Sequence, residues 1–112
     1  MERGEIMKEE INEYSNRISE LKTRADMFIE IKNQTHNIIL KKRLDRIIKT
    51  NIELRKNHNK YIEFLKMQNP TFEEKDLLMT DTLNHMEILN NEYLEYMEAQ
   101  VEVIKIIKSG NY

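Results

Sequence analysis

The chain has 112 residues, of which 34% are charged and 39% hydrophobic, with a net charge of −2, two glycines, one proline and no cysteine. That length bounds it to about one domain with one modest core, too small to sit beside a large catalytic cleft. So few turn-forming residues argue against a sheet protein, which needs a turn every ~8–12 residues, and the lack of cysteine excludes disulfides, thiolate zinc sites and cysteine nucleophiles.

The opening MERGEIMKEE is charged from its second residue and holds no apolar stretch, so no secretory signal is read there. No apolar run approaches the ~18 residues of a membrane span. The expected location is the cytoplasm, or that of a host cell. Ile, Asn and Lys are abundant while alanine occurs only at Ala25 and Ala99. That bias usually accompanies an AT-rich genome, of a kind common in phages and mobile elements.

The first segment carries an unbroken heptad seam: Met7, Ile11, Tyr14, Ile18, Leu21, Ala25 and Phe28 recur at alternating four- and three-residue steps. Side chains spaced this way share one stripe of a helix, which is expected over about 4–33. The next seam positions are polar, Lys32 and Thr35, and the stretch Asn33 to Asn37 is rich in side chains that compete for backbone hydrogen bonds. A second seam starts out of phase with the first and runs through Leu40, Leu44, Ile47, Asn51, Leu54, His58, Tyr61 and Leu65. The phase break predicts a turn between Asn33 and Asn37 and a second helix over about 38–68. The rival, one continuous helix carrying a stutter, would be a rod of ~95 Å.

Asn69-Pro70 breaks the pattern again, because proline lacks an amide hydrogen and restricts the residue before it. Thr71 to Glu74 then matches a capping box, which predicts a third helix over about 71–108. Its seam is read as Met79, Leu83, Met86, Asn90, Tyr93, Met97, Gln100, Ile104 and Ile107, with Lys105, Lys108 and Gly110 suited to its end. The expected fold is therefore all-α, a single domain over residues 1–112 built as an antiparallel three-helix bundle of coiled-coil-like hairpins.

Charge is partitioned along the chain: residues 1–34 carry −2, residues 35–69 carry +6 and residues 70–112 carry −6. Folding back at Asn69-Pro70 would bring Lys42 to Glu98, Arg46 to Glu92 and Glu95, and Lys49 to Glu87, with His58 opposite Asp81 and Asn51 level with Asn90. Folding near Thr35 would bring Lys49 to Glu20, Lys56 to Glu13 and Lys60 to Glu10. Each exposed pair is worth only ~0–1 kcal/mol, but together they select which helices become neighbours.

Candidate chemistry is thin. His36, His58 and His85 lack metal-ligand spacing; Asp81 and His85 make half a site, and a helical di-metal centre needs far more. No catalytic constellation, cofactor loop or metal motif is read. Asn51, His58 and Asn90 fall on seam positions, where buried polar residues can fix register. The cluster Lys41, Lys42, Arg43, Arg46, Lys49, Arg55, Lys56 and Lys60 can contact phosphates on nucleic acid; the plainer reading is pairing with the acidic helices on either side. Met79, Met86 and Met97 can fill a core or form an adaptable binding face. The expected function is that of a non-enzymatic helical interaction protein, self-associating as a homo-oligomer or docking on a protein partner. Nucleic-acid binding through residues 41–60 is the alternative.

Overall fold

The computed structural model describes residues 3–67 and 74–110, with side chains for 8–67 and 83–110. The architecture is all-α. Helix α1 spans Arg3–Gln34, α2 Ile38–Lys66 and α3 Glu74–Lys108. The three form an antiparallel bundle with α2 at its centre, in contact with both other helices. Its dimensions of 58 × 20 × 18 Å exclude the single continuous rod.

The first turn needs neither glycine nor proline. The Thr35 amide still donates to the Ile31 carbonyl at 2.9 Å, and the Thr35 hydroxyl then accepts from the Asn37 amide at 3.2 Å. Asn37 is the N-cap of α2: its backbone is extended, and its side-chain oxygen accepts from the Leu40 amide at 3.0 Å. Two polar side chains thus satisfy the groups that a helix end leaves open. Thr35 is itself buried. The Asn69-Pro70 break and the Thr71 capping box lie outside the described residues. At the far end, Gly110 takes the left-handed conformation (φ +77°) and donates to the Ile107 carbonyl at 3.1 Å, closing α3 as expected.

All eight positions of the α2 seam are buried, from Leu40 to Leu65. Opposite them α1 buries Leu21 and Ala25, with Ile11, Tyr14 and Phe28 packed alongside.

The α3 seam differs from the expected one. The buried residues are Leu89, Tyr96, Ala99 and Val103, while Leu83, Met86, Tyr93, Met97 and Ile104 are exposed. Asn90 is exposed too. The helix carries apolar side chains on two adjacent stripes, so periodicity alone does not say which one turns inward. Polar partners decide it. The inward stripe brings Tyr96 to Asn51, Glu102 to Arg43 and Arg46, and Glu92 to Asn57. It also places the small Ala99 at the buried interface.

The same contacts correct the register of the second hairpin. Arg46 meets Glu102 at 3.2 Å, not Glu92 and Glu95, and Asn51 lies level with Tyr96 rather than Asn90. The shift is about two helical turns. None of the expected Lys42–Glu98, Lys49–Glu87, Lys49–Glu20, Lys56–Glu13 or Lys60–Glu10 ion pairs forms among the described residues; Glu13 pairs instead with Arg17 on its own helix, and Lys32 of α1 pairs with Asp45 of α2.

Candidate interaction surface

The polar positions of α2 are used inside the bundle. The Asn51 side chain donates to the Leu21 carbonyl at 2.9 Å and lies 3.3 Å from the Tyr96 hydroxyl. Its oxygen accepts from the Arg55 Nε at 2.8 Å. One buried amide therefore joins all three helices, with both of its hydrogens and its oxygen engaged. Asn90, expected to share this role, stands instead on the exposed stripe of α3. His58 is buried, with Nδ1 2.7 Å from the Leu54 carbonyl, one turn back on the same helix.

Around His58 lies an aromatic cluster. Tyr14 meets the His58 and Tyr61 rings edge-on at 5.4 and 4.9 Å, and His85 packs against Tyr61 and Phe64 at 5.7 and 5.1 Å. Such edge-to-face and offset pairs suit the ring quadrupoles. Burial pushes the Tyr61 hydroxyl up to about 12, helped by the charge of Glu10. Burial raises Tyr14 likewise and lowers His58, which stays neutral; the bond to Leu54 opposes that shift and Arg17 adds to it. His85 is thus an aromatic-cluster member. Among the described residues no group of three acidic or histidine side chains could hold a metal.

The basic cluster divides. Arg43 and Arg46 converge on Glu102 at 3.4 and 3.2 Å, and Arg55 is held by Asn51. Lys41, Lys42, Lys49, Lys56 and Lys60 are exposed and make no ion pair among the described residues. Steps of seven, seven and four residues put Lys42, Lys49, Lys56 and Lys60 on one outward stripe of α2. The basic face is only partly consumed by intramolecular pairing.

Helix α3 presents the larger surface. Leu83, Met86, Asn90, Tyr93, Met97, Val101 and Ile104 follow one another at three- and four-residue steps, and all seven are exposed. Leu94, 63% exposed, broadens the stripe. No charged residue interrupts it between 83 and 104. The stripe continues into a groove. α1 and α3 keep all described Cα atoms more than 8 Å apart, leaving an open cavity of about 390 Å³ above α2. Leu21, His58 and Leu89 are its buried lining; Tyr14, Arg17 and Arg24 of α1 face Met86, Asn90 and Tyr93 of α3 across it.

No family model, curated protein or solved structure matches this chain. The surface therefore rests on its own geometry. Among the described residues no helix is long and apolar enough to cross a membrane.

Sequence reasoning found the apolar stripe of α3 but assigned it to the core. It missed Glu102 as the acceptor for two arginines and Tyr96 as the partner of Asn51. Tyr96 was legible only as an extra apolar position; its pairing depends on the register of α3 on α2, which heptad spacing does not encode.

Proposed function

We propose that the chain is a non-catalytic helical protein–protein interaction module, which self-associates or docks on a protein partner. The observation that carries this reading is the exposed stripe from Leu83 to Ile104. Large apolar side chains scattered singly need no explanation, whereas a contiguous run on one helix face marks an interaction site. The polar chemistry of the interior supports it: Asn51 and His58 are occupied by structural hydrogen bonds. Methionines at 86 and 97 give the stripe side chains that adapt to a partner surface.

A second reading is favoured by one observation, the lysines on the outward stripe of α2 that make no ion pair among the described residues. They could contact the phosphates of a nucleic acid. Sedimentation velocity of the pure protein, alone and with duplex DNA or RNA at two salt concentrations, separates the two. Protein-only association that persists at higher salt is the expected result. A species that shifts only with nucleic acid, and loses the shift as salt rises, would give the lysine stripe first place.

A further inference from the structure

We infer that the exposed stripe of α3 is covered by α3 of a second copy of this chain, packed antiparallel, so that the functional unit is a two-fold symmetric dimer. This rests on the interaction reading and names its partner and its geometry.

The first argument is area. Seven apolar side chains, each roughly two-fifths to two-thirds exposed, present on the order of 600 Å² if a large side chain offers ~200 Å². That lies at the top of the ~300–600 Å² range for the largest patch on a monomer. It also approaches the ~800 Å² per partner of a standard stable interface, before any polar rim is added.

The second argument is charge. Glu87 and Lys105 are 18 residues apart, five whole turns, and so lie on the same line along the edge of the stripe. Both are exposed, and neither makes an ion pair among the described residues. Laid antiparallel about a two-fold axis near Leu94, two α3 helices bring Glu87 of each copy beside Lys105 of the other. The same register layers Met86 on Ile104 and Tyr93 on Met97, each pair formed twice, as an isologous interface requires. Laid parallel about a two-fold along the helices, the edge that carries Glu87 and Lys105 would lie on opposite sides of the interface in the two copies, and the two charges would not meet. A parallel pair would also align the two helix dipoles, which an antiparallel pair sets opposed. The Glu87–Lys105 pairing forms in the antiparallel orientation only.

The third argument is continuity with the groove. A helix seated on this stripe also meets the α1 wall, where Arg24 is exposed and makes no ion pair among the described residues. Glu20 lines the same wall beside Arg24, so a partner helix seated here meets both signs of charge.

The chain has no cysteine, so single-cysteine variants report geometry without background. At ~100 µM, where a dimer with a micromolar constant is mostly formed, sedimentation equilibrium should give twice the 13.6 kDa chain mass. Leu94→Cys should oxidise to a disulfide dimer. Met86→Cys alone should not, but should cross-link to Ile104→Cys chains when the two are mixed. The double variant Tyr93→Glu, Met97→Glu changes only exposed positions; it should weaken association by ~100-fold or more with an unchanged circular dichroism spectrum. Met86→Cys homodimers without the mixed cross-link would overturn the antiparallel arrangement. A monomeric mass at ~100 µM would overturn self-association while leaving a heterologous protein partner open. The broader interaction reading fails separately. It fails if that monomer binds DNA or RNA and the triple variant Lys42→Glu, Lys49→Glu, Lys56→Glu abolishes the binding.

Discussion

The side-chain amide of Asn51, on the central helix, lies 3.3 Å from the hydroxyl of Tyr96 on α3, and the same nitrogen donates to the carbonyl of Leu21 on α1 at 2.9 Å. Both of its hydrogens are committed to other helices. Asn51→Asp keeps the shape and removes the donors, and it places a carboxylate in a position with no exposed surface. It should destabilise the protein by about 2–3 kcal/mol in urea denaturation. Tyr96→Phe should lose about 1 kcal/mol. Because the two groups touch, the double variant should lose less than the sum of the single ones. Strict additivity would mean that the Asn51–Tyr96 contact carries no stability.

Arg43 and Arg46 share Glu102, at 3.4 and 3.2 Å. All three side chains are two-fifths exposed or a little more, so screening keeps the net worth of the pairs small, within ~1 kcal/mol. Arg46→Glu should still lower stability measurably at low salt, because it sets two carboxylates face to face. Adding Glu102→Arg to that variant should recover most of the loss. Adding Glu92→Lys and Glu95→Lys instead should not, since Arg46 does not face them. Rescue by the 92/95 pair and not by 102 would mean that α3 sits about two turns away from the register described here.

The same pair of helices shows what was legible in the sequence. The α2 seam was read completely, since a helix buried between two neighbours has one broad apolar face, and few large apolar residues, Ile38, Ile39 and Ile52, lie exposed outside it. The Asn33–Asn37 turn was legible from the phase break, and its mechanism from residues that cap well, Thr35 and Asn37. The stripe that α3 turns inward was not legible. Its two apolar stripes differ by only one or two residues in position, Leu89 against Asn90 and Tyr96 against Met97. The choice between them is made by tertiary hydrogen bonds to Asn51, Arg43, Arg46 and Asn57. Opposite net charge said that α2 and α3 are neighbours but left their longitudinal offset open, because lysines and glutamates recur along both helices. Hence the candidate surface lay in plain view as a set of residues while its status as surface did not.

Tyr61 should ionise well above the ordinary tyrosine value. Its ring is buried between Tyr14 and His85, and its hydroxyl is pushed up to about 12 by that burial and by the charge of Glu10. The folded state therefore holds its proton above the ordinary tyrosine value of 10.0, where the unfolded chain releases it. Stability is complete below pH 10 and is lost as pH rises through about 12. Absorbance titration near 295 nm should show a component near pH 12 that disappears in Tyr61→Phe. If the component lost in Tyr61→Phe lay instead near the ordinary tyrosine value of 10.0, this hydroxyl would be in solvent.

His58 should impose the opposite dependence at the acid end. Its imidazole is buried, Nδ1 donates to the Leu54 carbonyl, and the ring edge meets Tyr14. Burial lowers its pKa below 6.5, and Arg17, facing it from α1, adds to the effect. Between the folded value and 6.5 the unfolded chain binds more protons than the folded one, so stability is complete above pH 6.5 and falls as pH drops through the folded value. The limiting slope for one proton is ~1.4 kcal/mol per pH unit. Glu92 works against this: burial raises its carboxyl above 4.5, so acidification relieves a charge held out of water. The parent's own acid profile therefore mixes two signs. His58→Phe separates them, because it retains a ring against Tyr14 and cannot titrate, and it leaves Glu92 untouched. The stability difference between parent and variant, measured in urea at about pH 7.5, 6.5 and 5.5, should shift against the parent as pH falls. If the difference stays constant across that range, His58 does not titrate from a buried neutral state, and the acid sensitivity of the fold must come from its carboxylates alone.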